Sequence, residues 1–173
     1  LRMQWCLESG GEYDAFWFWD RRGLGTVRLY AREEMQEALG PNKLGPDALE
    51  MTEAEWRRRC AKTSRAIKVA LLDQKLTAGI GNLYASEILH AAQIHPAHAA
   101  HALKPRHFHR LQESTQQILL TAIKFEGSTL NDGTYSNALN QSGRYQNAHR
   151  VYNRENETCP TCDKAEIVRI VQA

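Results

Sequence analysis

The stretch Ala78-Gly79-Ile80-Gly81-Asn82-Leu83-Tyr84 constrains this chain more than any other, because two glycines interrupt what reads as helix on either side. Glycine lets the main chain take positive φ and come close to another molecule. Asn82 then stands where a helix begins, so N–H groups without intrahelical partners point out of the turn. A helix start with bare N–H groups and no bulky side chain ahead of it is a site for phosphate. A plain interhelical turn, with glycines for steric relief, is the other reading of the same residues. The turn by itself leaves both open.

The 173 residues give room for one or two domains and a sizeable core. No apolar run approaches the ~20 residues of a membrane span, and no secretory signal is visible. Membrane partners are therefore not expected, and the expected location is cytoplasmic. The net charge is only +2, so nucleic-acid binding has to rest on local patches. Four cysteines (Cys6, Cys60, Cys159 and Cys162) follow no disulfide-framework spacing, in keeping with a reducing compartment. The chain opens on Leu1 in what reads as mid-strand and closes soon after a Cys-x-x-Cys without a second half. We expect a piece of a longer protein.

Residues 1–7 and 16–19 are rich in aromatic and aliphatic side chains and flank Ser9-Gly10-Gly11, the pattern of a β-hairpin. Residues 20–25 read as a second turn, residues 26–30 as a strand, and residues 40–46 as a Gly/Pro loop. Thr52 and Glu55 then form a capping box ahead of a helix spanning 53–72. At about 100° per residue, Trp56, Cys60, Thr63, Ile67, Ala70 and Leu71 share its packing face. Arg58, Lys62 and Arg65 lie opposite, with Arg57 and Lys68 on the flank, a basic stripe in a nearly neutral chain. A solvated face is the commoner meaning of such a stripe, but Lys68 faces the side of the glycine turn, which favours phosphate contact. A second helix is expected over 83–92, packing through Tyr84, Ile88 and Ala91 and ended by Ile94-His95-Pro96. A third runs over 105–125 with Phe108, Leu111, Ile118, Leu119 and Ala122 inward. The polar residues 127–143 read as a long loop, and residues 151–152 and 167–171 as short strands.

Cys159-Pro160-Thr161-Cys162 has zinc-knuckle spacing, since two thiolates on one tight turn reach the same tetrahedral ion. A closed structural site needs four ligands, so we read it as half of a four-cysteine ribbon. Redox use would want a thioredoxin-like strand and helix, which are missing here. His95, His98 and His101, with His90, His107 and His109 nearby, lack metal-ligand spacing and read as surface histidines of a connecting segment. Gly79-x-Gly81 is neither a dinucleotide fingerprint nor a P-loop, because helix precedes it and no Lys-Ser/Thr follows. No nucleophile triad or carboxylate pair stands out, and Glu87 reads as a surface acid.

Taken together, Ile67-Lys68, Leu71-Leu72-Asp73-Gln74, the run from Ala78 to Tyr84, Glu87 and Ile94-His95-Pro96 closely resemble the helix-two-turns-helix of formamidopyrimidine-DNA glycosylases. Upstream, the resemblance takes in Asp20-Arg21-Arg22-Gly23-Leu24-Gly25 and Leu44-Gly45-Pro46-Asp47-Ala48-Leu49. Downstream, it takes in Gly143-Arg144-Tyr145-Gln146, Val151-Tyr152-Asn153-Arg154 and Cys159-x-x-Cys162. The sister endonuclease VIII branch shares the architecture, but the glycine turn is more similar to the formamidopyrimidine branch.

The resemblance implies an α+β, mainly α fold in three parts. Residues 1–50 would be the end of a β-sandwich catalytic domain, 51–146 the helix-two-turns-helix DNA-binding domain, and 147–173 an incomplete zinc hairpin. It implies a base-excision enzyme, acting as a monomer on duplex DNA with an oxidised base or abasic site. Such an enzyme flips out an oxidised purine such as 8-oxoguanine or formamidopyrimidine, cuts the glycosidic bond, and nicks the backbone by β,δ-elimination. Asn82 and Lys68 would hold phosphates beside the amides of Gly79 and Gly81. Arg22 would fill the gap left by the flipped base, and Leu24 would wedge beside it where the family has Phe. Cys159 and Cys162 would bind structural Zn2+. The family's N-terminal proline nucleophile and the glutamate after it have no counterpart here, so no catalytic residue is assigned and the chain itself is expected to be inactive. Two alternatives remain. One is a non-catalytic helix-two-turns-helix nucleic-acid-binding module, and the other a zinc-containing interaction domain.

Overall fold

The apolar repeat over residues 105–125 is realised in the computed structural model, which describes residues 2–8, 14–20, 25–40, 43–129 and 141–171. Two strands come first, β1 (Arg2–Cys6) and β2 (Ala15–Trp19), then helices α1 (Arg32–Leu39), α2 (Glu53–Cys60), α3 (Ile67–Leu72), α4 (Asn82–Ala91) and α5 (Pro105–Lys124). Phe108, Leu111, Ile118, Leu119 and Ala122 are buried along one face of α5, as a 3.6-residue period demands. Pro105 opens α5 at a position where its missing N–H costs nothing. The His107 ring steadies that start, its Nδ1 accepting the Lys104 N–H at 3.1 Å. Both α2 and α4 pack on α5, and α3 packs on α4. Trp56, Cys60, Ile67, Ala70, Leu71, Ala85, Ile88 and Leu89 meet there as one closed core. In α4 the buried face runs through Ala85, Ile88, Leu89 and Ala92, whereas Tyr84 is half-buried and Ala91 is exposed, a shift from the expected face.

The helix expected over 53–72 is two helices. Thr52 caps α2, its Oγ1 accepting the Glu55 N–H at 3.3 Å. The Glu55 carboxylate turns to Arg58 and Arg59 instead of closing the expected box. Past Cys60 the polar Thr63 competes with the helix, its hydroxyl accepting the Arg65 N–H at 3.3 Å. Residues 65–67 pair with the chain around Ala99 instead, Ile67 N–H donating to His98 O at 2.8 Å and Ala100 N–H to Arg65 O at 2.9 Å. The break divides the basic stripe, so its cations do not share one helical face.

Helix α4 does not end on Pro96. Gln93 takes a left-handed φ of 56°, its N–H donates to His90 O, and Ile94 N–H donates to Leu89 O at 3.0 Å. This is a Schellman motif, with Leu89 and Ile94 both buried beside it. The same motif closes α5 through Glu126 at φ 57° and Gly127 N–H on Ala122 O.

The expected hairpin forms, β1 and β2 pairing antiparallel with Trp5 opposite Phe16. The strand expected over 26–30 does not, since the described residues offer it no partner ladder, and Leu29 lies fully exposed. After it comes α1, whose start is held by Glu34 accepting the Ala31 N–H at 2.9 Å. Nor are residues 151–152 and 167–171 strands. Residues 156–167 instead fold into a tight reverse turn, tied by Asn156 N–H on Ile167 O and Cys159 N–H on Ala165 O. Ahead of α2, residues 45–48 are stitched to 74–78 by Gly45 N–H on Gln74 O, Ala78 N–H on Pro46 O and Ala48 N–H on Ala78 O. The helical unit's polar pairing thus reaches back before residue 50. No helix among the described residues is long and apolar enough to cross a membrane. Trp56, on α2, sits in the core with no exposed surface, so Trp56→Ala is expected to cost about 3–5 kcal/mol of stability in urea unfolding.

Candidate nucleic-acid interface and metal knuckle

The glycine turn is built by side chains that satisfy its backbone. Asp73 follows α3, accepting the Lys75 N–H at 2.9 Å on one carboxylate oxygen and the Arg65 guanidinium at 2.7 Å on the other. Those bonds, the Arg65 one foremost, hold its carboxyl below the usual range. Gln74 spans the turn. Its Oε1 accepts the Gly79 N–H at 3.0 Å while its Nε2 donates to Ile80 O at 3.1 Å. From α2, Arg59 donates to the carbonyls of Lys75 and Leu76 at 3.2 Å each. Ile80 anchors the turn from within, 1% exposed.

The two glycines do different things. Gly79 has φ 98°, a conformation that L side chains rarely adopt, as expected. Gly81 does not take positive φ; it is the extended N-cap of α4. Yet among the described residues no atom lies within 4 Å of a Cβ built on either glycine, so the space in front of the turn is open there. Asn82 is the first residue of α4 and is exposed. Among the described residues no side chain caps this end, and no acid stands in its first turn, so its amides and the positive end of the helix dipole are left without a partner there.

Lys68 on α3 and Asn82 on α4 line the same cleft, an open space of about 1010 Å³ also walled by Ser86, His95, Pro96 and Tyr152. Burial lowers the Lys68 ammonium below the ordinary lysine value, which marks it as partly desolvated. The arginines are committed elsewhere. Arg57 pairs with Glu53, Arg58 and Arg59 with Glu55, and Arg65 with Asp73. Hydrogen bonds from Arg58 and Arg59 pull the Glu55 carboxyl down to about 2. Among the described residues Lys68 has no such acid partner. Arg22 and Leu24 lie outside the described residues, as do residues 130–140 of the expected long loop. The flanks of that loop are tied together by Gly143 N–H on Thr129 Oγ1 at 2.9 Å and Thr129 N–H on Gln146 Oε1 at 3.1 Å.

Glu87 corrects the sequence reading most sharply. It is not a surface acid but is fully buried. Its carboxylate accepts three backbone N–H groups, from Arg150 at 2.9 Å, Val151 at 3.0 Å and Tyr152 at 2.8 Å. A buried carboxylate is tolerable only with such donors. The signal was present in the sequence: Glu87 is the one acid in a helix otherwise built of apolar residues, Asn82, Ser86 and His90. Beside it Tyr145 is buried, which pushes its phenol up to about 12, with the Glu87 charge adding to the effect. His149 packs between Tyr145 and Tyr152, and burial lowers its ring below the usual histidine value.

The clamped segment leads into the cysteine turn. Cys159 N–H donates to Ala165 O at 2.7 Å, Asp163 N–H to Cys159 O at 2.9 Å, and Ala165 N–H to the Cys162 sulphur at 3.5 Å. Arg150 ties the turn down from outside, donating to Pro160 O at 3.1 Å. A hydrogen bond from His90, then backbone N–H groups of Thr161 and Cys162, bring the Cys159 thiol down to about 6. A sulphur already favoured as thiolate fits a thiophilic cation. Among the described residues no three His, Cys, Asp or Glu gather into a metal site; the turn brings together two sulphurs. Cys60 is no candidate for the others, being buried in the core with its thiol raised to about 11, and Cys6 is exposed on β1. Exchanging the clamp should act locally. Glu87→Ala is expected to speed amide hydrogen exchange at Arg150, Val151 and Tyr152, with Glu87→Gln intermediate and the centre of α5 unchanged. The loss of three charge-assisted bonds corresponds to about 3 kcal/mol or more.

Residues 39–134 match the family model described as formamidopyrimidine-DNA glycosylase H2TH domain. The formamidopyrimidine-DNA glycosylase of Listeria innocua is 41% identical over 147 residues, covering 84% of this chain and 53% of that enzyme. That of Bacillus cereus is 39% identical over 145 residues, covering 83% and 52%. Among solved structures, the Lactococcus lactis Fpg in complex with abasic-site DNA superposes with a TM-score of 0.82 at 31% identity, covering 99% of this chain and 66% of that one. The MutM (Fpg) protein of Thermus thermophilus gives 0.80 at 33% identity, covering 92% and 60%. The chain spans about half the length of the curated relatives it matches. The α+β, mainly helical architecture, the glycine turn at the head of α4 and the match through residues 39–134 agree, and the chain belongs to the formamidopyrimidine-DNA glycosylase family.

Proposed function

We propose that these residues form the backbone grip of a base-excision glycosylase that removes oxidised purines such as 8-oxoguanine and formamidopyrimidine and nicks DNA at the resulting abasic site. The observation that carries this reading is the placement of Asn82 and Lys68 on one cleft, beside an uncapped helix start whose two glycines leave the approach clear. Two phosphates of a bent strand would sit there, one on Asn82 and the α4 amides, the other on Lys68. Structures of the Lactococcus lactis Fpg with abasic-site DNA and with Fapy-dG DNA give the reading its substrate class. On the same reading Arg22 and Leu24 enter the duplex where the base has left it. The protein works as a cytoplasmic monomer.

Cys159 and Cys162 would hold two positions of a structural Zn2+, and the ion would fix the turn that carries them against the cleft. It supplies rigidity and no reaction step. The reaction itself, attack by a proline amine and β,δ-elimination through a Schiff base, needs a proline followed by glutamate. The five prolines here are followed by Asn42, Asp47, Ala97, Arg106 and Thr161. The grip and the chemistry are thus separable on this reading, and the 173 residues alone would not turn over.

Binding to abasic-site duplex tests this. Lys68→Ala is expected to weaken it and to lower the steepness of log K against log salt by about 0.9, the change that follows when one phosphate is no longer neutralised. Asn82→Ala removes a neutral donor to a charged group and is expected to cost roughly 10–100-fold in affinity with the slope unchanged. Binding that ignores salt, or that neither substitution alters, would refute the grip. Borohydride reduction on 8-oxoguanine duplex should trap no adduct with these 173 residues, and a trapped adduct would show that the nucleophile lies among them.

A further inference from the structure

His90, read from sequence as a surface histidine, lies against the cysteine turn. It sits on the last turn of α4, and its Nε2 is 3.7 Å from the Cys159 sulphur and 3.3 Å from the Thr161 hydroxyl. Its other ring nitrogen, Nδ1, is buried and meets no hydrogen-bond partner among the described residues. These two facts choose the tautomer. A neutral imidazole carries a single N–H. Placed on Nδ1, that proton would be a buried donor with no acceptor among the described residues, and the Nε2 lone pair would have only the Thr161 hydroxyl to donate to it beside a metal-bound thiolate. Placed on Nε2, it is donated to the sulphur, and only a lone pair on Nδ1 goes unmet.

We propose that His90 is a positioning residue for the metal knuckle: its Nε2–H donates to the Cys159 sulphur and holds that thiolate in ligand geometry from helix α4. This rests on the reading of Cys159 and Cys162 as metal ligands. A metal-bound thiolate keeps lone pairs that accept such a bond, and partners of this kind set metal affinity by orienting the ligand and spreading its charge. Thr161 shares the ring nitrogen, so the turn is held at two points by one side chain. The donor stands on the same helix as Asn82, at the opposite end, so α4 joins the cleft to the knuckle directly.

The test uses the 173-residue chain loaded with Co2+ in place of Zn2+, with His90→Phe, which keeps a ring without a donor, and His90→Gln, which keeps a donor. His90→Phe is expected to release the metal to a chelator roughly 10–100-fold faster and to shift the thiolate-to-cobalt absorption, while His90→Gln recovers most of both. In the unsubstituted chain, 15N NMR of the ring should find the proton on Nε2 and a bare Nδ1. Release from His90→Phe at the unsubstituted rate overturns the proposal, as does loss in both variants alike, which would mean packing alone. A proton on Nδ1 overturns it too, and so does a His90 nitrogen bound to the metal itself. Two thiolates leave two positions to water, so Co2+ is supplied in large excess; no thiolate-to-cobalt band even then sinks the metal reading itself, an outcome distinct from uptake that is indifferent to residue 90.

Discussion

A carboxylate with no access to water organises the second half of this structure. Glu87 could not be buried without donors, and residues 150–152 could not turn away from the core without acceptors. The three amide bonds between them answer both needs at once. Because Glu87 is on α4, the helix that begins with Asn82 also fixes where the cysteine turn lies. From Asn82 to His90 is about 12 Å along the axis at 1.5 Å per residue. Within that length one helix presents an open head to the cleft, a clamp at its middle and a donor to sulphur at its tail. The geometry of the whole face follows from keeping that helix straight and uncapped.

The electrostatics run against what composition would favour. A net charge of +2 gives little general attraction for a polyanion, and four arginines of α2 and its neighbourhood are neutralised by Glu53, Glu55 and Asp73. Arg59 and Arg65 serve the turn, bracing its carbonyls and its aspartate. What the cleft itself offers an anion is the α4 amides and the partly desolvated Lys68. A site arranged in this way discriminates by position more than by strength. A phosphate a few ångströms away from the helix axis gains little from it.

Much of the fold was legible because local patterns and tertiary structure agree. Phe108, Leu111, Ile118, Leu119 and Ala122 read as one face and are one face. The aromatic hairpin is paired as expected, and Gly79 carries the positive φ that the turn requires. Where reading failed, a non-local bond had won. A helical pattern runs through 61–66, yet the chain there pairs with residues 98–100, a partner with no local trace. The ends of α4 and α5 are set by Gln93 and Glu126 in left-handed conformation, which side chains of that type do not announce. Glu87 belongs to the resemblance and still reads as a surface acid, since its burial depends on amides more than sixty residues away. The short α1 is rich in helix formers, a local signal that the reading of strand and loop around it leaves unassigned. Arg22 and Leu24 stand on the resemblance alone.

The empty space beside Gly81 carries a further consequence. Its backbone is extended, a conformation open to any residue, and a methyl group there would touch nothing among the described residues. Gly79 is different, held by its own φ of 98°. Folding therefore selects strongly at residue 79 and only through the preferences of a helix N-cap at residue 81, where the approach of a partner is the main objection to a bulky side chain. Variation at these two positions separates two evolutionary pressures, one for a chain that folds and one for a chain that is still used.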